Sequence, residues 1–185
     1  KVLIYTTIQF YRWDRLDYLK DLHKRSLAND CKIGVKLVRG AYMEKERDRA
    51  KEKGYKDPIQ TTKENTDRDY NLGLAYCVEN IKDISICAGT HNENSSQHLA
   101  DLLEKNNIQK DDKRIYFAQL LGMSDHISFN LSNAKYNVAK YVPYGPVKEV
   151  LPYLIRRAEE NTSVAGQTGR ELSLIQKEIT RRRKR

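Results

Sequence analysis

Ile33-Gly34-Val35-Lys36-Leu37-Val38-Arg39-Gly40-Ala41-Tyr42 is the stretch on which the fold turns. Ile33 to Val38 is a short, largely β-branched run of strand length, cut at Arg39-Gly40. Glu44 to Lys53, which follows, alternates acids and bases and predicts a solvated helix. Upstream, Val2 to Gln9 predicts a strand, and Leu16 to Leu27 a helix on the spacing of Leu16, Leu19, Leu22 and Leu27. Downstream, a Gly-Tyr-Lys-Asp-Pro break precedes a helix over Thr61 to Ile81 and a strand over Ile84 to Thr90. Then come a polar turn, a helix over Gln97 to Asn106, a strand over Arg114 to Leu120, a short irregular region and a strand over Asn137 to Val142. Pro143-Tyr144-Gly145-Pro146 punctuates the chain before helices over Val147 to Asn161 and Arg170 to Arg183.

About five strands separated by helices or long connections predict an α/β fold with a parallel sheet, because parallel neighbours need crossovers. A doubly wound sheet and part of a (βα)8 TIM-type barrel both fit. A whole barrel takes about 250 residues, so in a barrel this chain is a portion, incomplete as given. Its entry on a strand leads us to expect preceding units; no signal or transit peptide is visible. The distinctive residues gather where strands end: Gln9, Arg39-Gly40-Ala41, Thr90-His91-Asn92, Gln119-Leu120 and Tyr141. Both architectures build their sites at the carboxyl ends of strands.

Composition narrows the partners. The chain has 185 residues, of which 39% are hydrophobic, and twelve tyrosines, which predicts a globular fold. Cys31, Cys77 and Cys87 are odd in number and lack metal-ligand spacing, and His91 shares none with His23, His98 or His126, so no metal site is expected. No apolar run approaches the roughly 18 residues that cross a bilayer. The net charge of +9 suits a nucleic-acid or lipid partner, or an enzyme with anionic ligands, and Thr180 to Arg185 concentrates five cations. Such runs are most often solvated, and no nucleic-acid partner is expected. There is no G-x-G-x-x-G after a strand, no Walker loop and no hydrolase triad motif.

Lys36 and Arg39 bracket a strand end ahead of a glycine, which fits an anion or cofactor contact as well as an ordinary strand-to-loop transition. His91 fits a hydrogen-bonding or acid-base role, or a structural one. On the helix from Val147, the residues Val147, Val150, Leu151, Leu154 and Ala158 form one stripe with Arg156 opposite, so Arg156-Arg157 reads as a solvated face unless a carboxylate arrives between them. Glu160 stands four and three residues beyond the two arginines, suitably placed to hold one guanidinium.

Taken together, Val35 to Tyr42, Thr90-His91-Asn92, Gln119 to Met123, and Lys140-Tyr141-Val142-Pro143-Tyr144-Gly145-Pro146 through Tyr153-Leu154-Ile155-Arg156-Arg157 resemble the proline dehydrogenases, above all the mitochondrial enzymes of eukaryotes. The resemblance implies that residues 1–162 are the C-terminal part of a distorted (βα)8 barrel, with 163–185 a helical basic extension. It implies oxidation of L-proline to Δ1-pyrroline-5-carboxylate by hydride transfer to FAD, the first step of proline catabolism. Gln9, Lys36, Arg39, Gly40, Ala41, Thr90, His91 and Asn92 would surround the flavin. Lys36, where many bacterial relatives have Arg, would approach its reactive nitrogen; a point donor and a fork are not equivalent. Arg156 and Arg157 would grip the proline carboxylate, with Glu160 orienting them. Leu120, Tyr141 and Tyr42 would wall the ring, and Tyr141 would disfavour a ring hydroxyl. Lys36 and Tyr141 are thus the expected catalytic residues. The front half of the barrel, with a further catalytic Lys and Asp, would be missing, leaving this chain inactive by itself. Electrons would pass to quinone or another membrane acceptor, implying peripheral attachment at the matrix side of the mitochondrial inner membrane. The competing readings are a hydroxyproline dehydrogenase of the same superfamily, a basic nucleic-acid-binding α/β domain, and a non-catalytic interaction fragment.

Overall fold

The computed structural model describes residues 4–163 and 167–183. Five parallel strands are hydrogen-bonded in chain order: β1 (Tyr5–Gln9), β2 (Ile33–Val38), β3 (Ile84–Gly89), β4 (Ile115–Leu120) and β5 (Val138–Tyr141). Between them run α1 (Arg15–Ala28), α2 (Met43–Lys53), α3 (Lys63–Glu79), α4 (Glu93–Lys105) and α5 (Asp125–Asn133). A doubly wound sheet reverses its strand order midway. This one never does, and right-handed crossovers taken always in one direction lay their helices on one face. The order β1-β2-β3-β4-β5 therefore decides between the two architectures left open by periodicity, in favour of part of a TIM-type barrel.

Alternation along the strands sorts side chains between the two faces. Ile8, Val35, Leu37, Ile86, Ala88, Ile115 and Phe117 are all buried and share one core with Leu19 of α1, Tyr70 and Leu74 of α3, and Leu99 of α4. Packing there is close: Phe10 meets Tyr70 edge-on with centroids 5.9 Å apart, and a methyl group added at Gly73 would lie 2.3 Å from Phe10 Cζ. Full burial of a side chain such as Phe117 contributes about 1.5–3 kcal/mol.

The alternate positions Thr7 and Gln9, Lys36 and Val38, Cys87, Tyr116, and Tyr141 occupy the opposite face and remain partly or wholly exposed. No helix of residues 4–142 contributes to the core on that side.

Three local expectations are revised. The region after β4 is helical, α5, and not irregular. Its entry is unusual, since Ser124 at the N-cap has φ +53° and makes no side-chain cap bond. The helix α4 begins at Glu93, not Gln97, because Asn92 caps it by accepting from Ser95 N at 3.0 Å. The strand expected from Val2 begins at Tyr5, with residues 1–3 outside those described.

The chain divides into two compact units, Lys1–Val142 and Pro143–Arg185. The second contains α6 (Val147–Ser163), with Pro152 inside it, and α7 (Gln167–Arg183). On α6, Val147, Leu151 and Leu154 are exposed, at 74%, 50% and 41% of their surface.

Candidate functional site

Lys36 sits in the middle of β2, in register with Thr7 on one side and Cys87 on the other. Its ammonium lies 5.5 Å from the ring centroid of Tyr141, a cation–π distance that spans from β2 to β5 across the open face. Tyr141 pairs in register with Leu120, which is nearly buried while Tyr141 is half exposed. Gln9 stands on the same face at the end of β1, and its side-chain carbonyl is buried without a hydrogen-bond partner among the described residues. Burial raises the Cys87 thiol, with Lys36 pulling it down more weakly, so Cys87 is a neutral neighbour of the cation. Gln9, Lys36 and Tyr141 thus share one face of the sheet, with Leu120 beside Tyr141 in register.

Arg39 lies one residue past β2 and behaves differently. Its Nε donates to Asp67 at 2.5 Å, Nη1 to Thr90 Oγ1 at 2.7 Å and Nη2 to Ser95 Oγ at 2.8 Å, while the guanidinium stacks 4.3 Å from the Tyr70 centroid. Its charge is therefore held on the helix side of the rim, fixed by α3 and α4. Three of its donors are committed, of the five a guanidinium has. Asp67, shared between Arg39 and Lys63, is held below the usual carboxylate range by those two donors against the opposing effect of burial. Thr90 is buried and is used twice more, accepting from Asn92 N through Oγ1 and from Gln119 Nε2 through its carbonyl.

Gly40 follows with φ +110°, in the left-handed region that favours glycine. A methyl group there would fall 1.5 Å from Tyr11 Cδ1, so the turn is built around that ring. Tyr11 N closes it by donating to the Arg39 carbonyl at 2.7 Å. Ala41 and Tyr42 lead into α2, with Tyr42 at its N-cap and 38% exposed.

His91 is anchored at the far side of the same rim. Its Nδ1 and Ser124 Oγ are 3.0 Å apart. Burial, with help from the nearby Lys140 charge, lowers its pKa from 6.5 to about 4, so the imidazole is neutral at physiological pH. Lys140 in turn donates to the Met123 carbonyl at 2.8 Å and to Asp125 at 2.7 Å, pinning the turn that carries Ser124. A neutral ring with Nδ1 engaged by a hydroxyl presents Nε2 as its second hydrogen-bonding atom.

Sequence reasoning missed this supporting layer. Ser124, Lys140, Asp67, Tyr70 and Ser95 hold the expected site residues, yet only Lys140 stands in a motif, and there without a role of its own. The only signals were that Ser124 directly follows the Gln119 to Met123 segment and that Lys140 opens the Lys140 to Pro146 segment. Asn92, expected at the cofactor, uses its side-chain oxygen as a helix cap.

In the second unit, the Arg157 guanidinium stacks 5.2 Å from the Tyr153 ring centroid. The side chains of Arg156 and Glu160 lie outside the described residues.

A family model described as proline dehydrogenase matches residues 1–170. The human protein "Proline dehydrogenase 1, mitochondrial" is 45% identical over 186 residues, which cover 98% of this chain and 31% of the human one. Hydroxyproline dehydrogenase from Xenopus laevis is 43% identical over 184 residues, covering 97% of this chain and 39% of that protein. Proline utilization A from Bdellovibrio bacteriovorus, solved after inactivation by N-propargylglycine, superposes with a TM-score of 0.81 at 32% identity, over 87% of this chain and 17% of that one. The chain spans about a third of the length of these curated relatives. With the family match running through the strands and rim described above, the chain belongs to the proline dehydrogenase family.

Proposed function

We propose that this chain is the carboxyl-terminal portion of a mitochondrial, FAD-dependent dehydrogenase that oxidises L-proline to Δ1-pyrroline-5-carboxylate, the opening step of proline catabolism. The observation that carries the reading is the Lys36–Tyr141 pair on the face of the parallel sheet opposite the helix-packed core, in a chain of this family. The residues present fit a flavin. Gln9 has a buried carbonyl oxygen in want of a donor, Lys36 is a cation on the open face, and His91 is a neutral donor or acceptor at the rim. Gln9, Lys36 and His91 would hold the cofactor, with Gly40, Ala41, Thr90 and Asn92 shaping the backbone beside it and Arg39 offering its remaining donors.

When bound, FAD supplies the two-electron acceptor. The chain's own residues do the rest. Lys36 holds positive charge where negative charge develops, an electrostatic role that needs no movement during reaction. Arg156 and Arg157 clamp the substrate carboxylate, and Glu160 orients them, which fixes the reacting carbon. Leu120, Tyr141 and Tyr42 wall the apolar ring and exclude water. Tyr141 disfavours a ring hydroxyl, which ranks L-proline above hydroxyproline; the Xenopus relative keeps hydroxyproline as the second reading. A quinone or another membrane acceptor takes the electrons, with peripheral attachment at the matrix side of the inner membrane.

The test uses the complete protein, with L-proline and trans-4-hydroxyproline compared as reductants of a soluble dye. L-Proline is expected to give the higher kcat/KM, and Lys36→Met to lower it about a hundredfold while FAD stays bound. Dye reduction by neither substrate would remove the assignment. A preference for hydroxyproline would transfer it to the second reading.

A further inference from the structure

We propose that α7, with the cations Arg181, Arg182 and Arg183 of its last turn, forms a docking surface for an anionic lipid bilayer. This deepens the membrane-acceptor reading above, on which its physiological sense rests. Leu172, Ile175 and Ile179 are 56%, 57% and 45% exposed, although all three are aliphatic. At about 100° per residue they fall on a single narrow stripe of the helix. Arg182 and Arg183 fall immediately to either side of it by the same count. Long basic side chains beside an apolar stripe suit a headgroup boundary, because their stems lie along the acyl region while the charges reach phosphate.

Charge favours the same partner. Residues 167–185 hold seven cations and two carboxylates, so more than half of the chain's +9 is concentrated there. Glu178 is held well below the usual carboxylate range by its hydrogen bonds from Arg181 and Arg182, and partly offsets those two charges. Arg170, Lys177 and Arg183 add to the excess, and Lys184 and Arg185 extend it in sequence. A duplex nucleic acid would use these cations but not the aliphatic stripe, whereas a bilayer interface uses both.

The exposed stripe of α6 does not carry the same argument. It lies wholly inside the stretch matched by the family model, which ends at residue 170, so the remainder of the family's own barrel is available to cover it. Most of α7, including Leu172, Ile175 and Ile179, lies beyond that limit. No helix among the described residues is long and apolar enough to cross a membrane, so α7 would lie along the interface.

The experiment is co-sedimentation of the complete protein with vesicles of phosphatidylcholine alone and of phosphatidylcholine mixed with phosphatidylglycerol. Binding is expected only to the anionic vesicles. Combined Arg181→Gln, Arg182→Gln and Arg183→Gln should weaken it on the order of a hundredfold. Ile175→Ser with Ile179→Ser should weaken it as well, with thermal stability in the absence of lipid unchanged. Dye-linked proline oxidation should be unaffected by either set. Equal binding to neutral vesicles, undiminished binding by the arginine variant, or an arginine-dependent affinity for duplex RNA in place of vesicles would each overturn the proposal. A lower melting temperature of the isoleucine variant without lipid would also overturn it, by indicating that the protein's own chain covers the stripe. Loss of dye-linked oxidation in the unmodified protein, with the vesicle pattern intact, would defeat the dehydrogenase reading and leave this one standing.

Discussion

The two faces of the sheet are made by the same strands, residue by alternate residue, and they are chemically opposite. On one, Ile8, Leu37, Ala88 and Phe117 stand in a single register row and are sealed by helices. On the other, Thr7, Lys36, Cys87 and Tyr116 form the neighbouring row and lie outside the core. The first row stabilises and the second is available for chemistry, and a one-residue step in register would exchange them. The burial of the first row is what fixes the position of the second.

The largest effect that would test this division is the loss of Phe117. Its ring is fully buried and packs edge-on against Tyr136 at 5.4 Å. In the complete protein Phe117→Ala should cost about 3–5 kcal/mol in denaturant unfolding, whereas Lys36→Met should stay within about 1 kcal/mol of the parent. Comparable losses for both would erase the distinction between the faces.

A second test concerns the rim. His91 takes up a proton near pH 4 when folded but near pH 6.5 in an ordinary environment, so the unfolded chain binds the proton first as acid is added. Its contribution is present above about pH 6.5 and drains away as pH falls towards 4, by at most about 3 kcal/mol. Urea midpoints at pH 7 and pH 5 should therefore converge in His91→Gln. An unchanged gap would assign the acid sensitivity to other groups.

The smallest expected effect separates a helix cap from a ligand contact. Asn92→Ala should remove about 1 kcal/mol of stability through the lost bond to Ser95 N, with FAD affinity of the complete protein nearly unchanged. A large fall in affinity without loss of stability would make Asn92 a cofactor residue first.

How far the sequence was legible follows from the same two faces. The strands β2, β3 and β4 announce themselves because burial demands apolar residues at alternate positions, such as Val35 and Leu37, Ile86 and Ala88, and Ile115 and Phe117, and the strand-end motifs then fall on the rim. The helix α5 was illegible: Asp125–Asn133 turns only Ile127 and the partly buried Leu131 inward and leaves Phe129 69% exposed, so its apolar stripe is two residues long. The start of α4 was hidden because its first turn buries Ser95 and Ser96, and a Ser/Asn-rich run reads as a turn. Arg39 was readable as a rim cation, but not its direction. That is set by Asp67, Tyr70 and Ser95, which lie 28, 31 and 56 positions further along the chain.

The overlap between Gly40 and the ring of Tyr11 has a consequence for how such a site can diversify. No side chain enters position 40 without displacing an aromatic ring that is itself 2% exposed, so the turn joining β2 to α2 is closed to gradual change. Tyr42 and Tyr141 are far more exposed, at 38% and 51%. On the reading proposed above, in which Tyr42 and Tyr141 wall the substrate ring, new preferences would arise by exchanging those two tyrosines while the Gly40 turn is inherited unaltered.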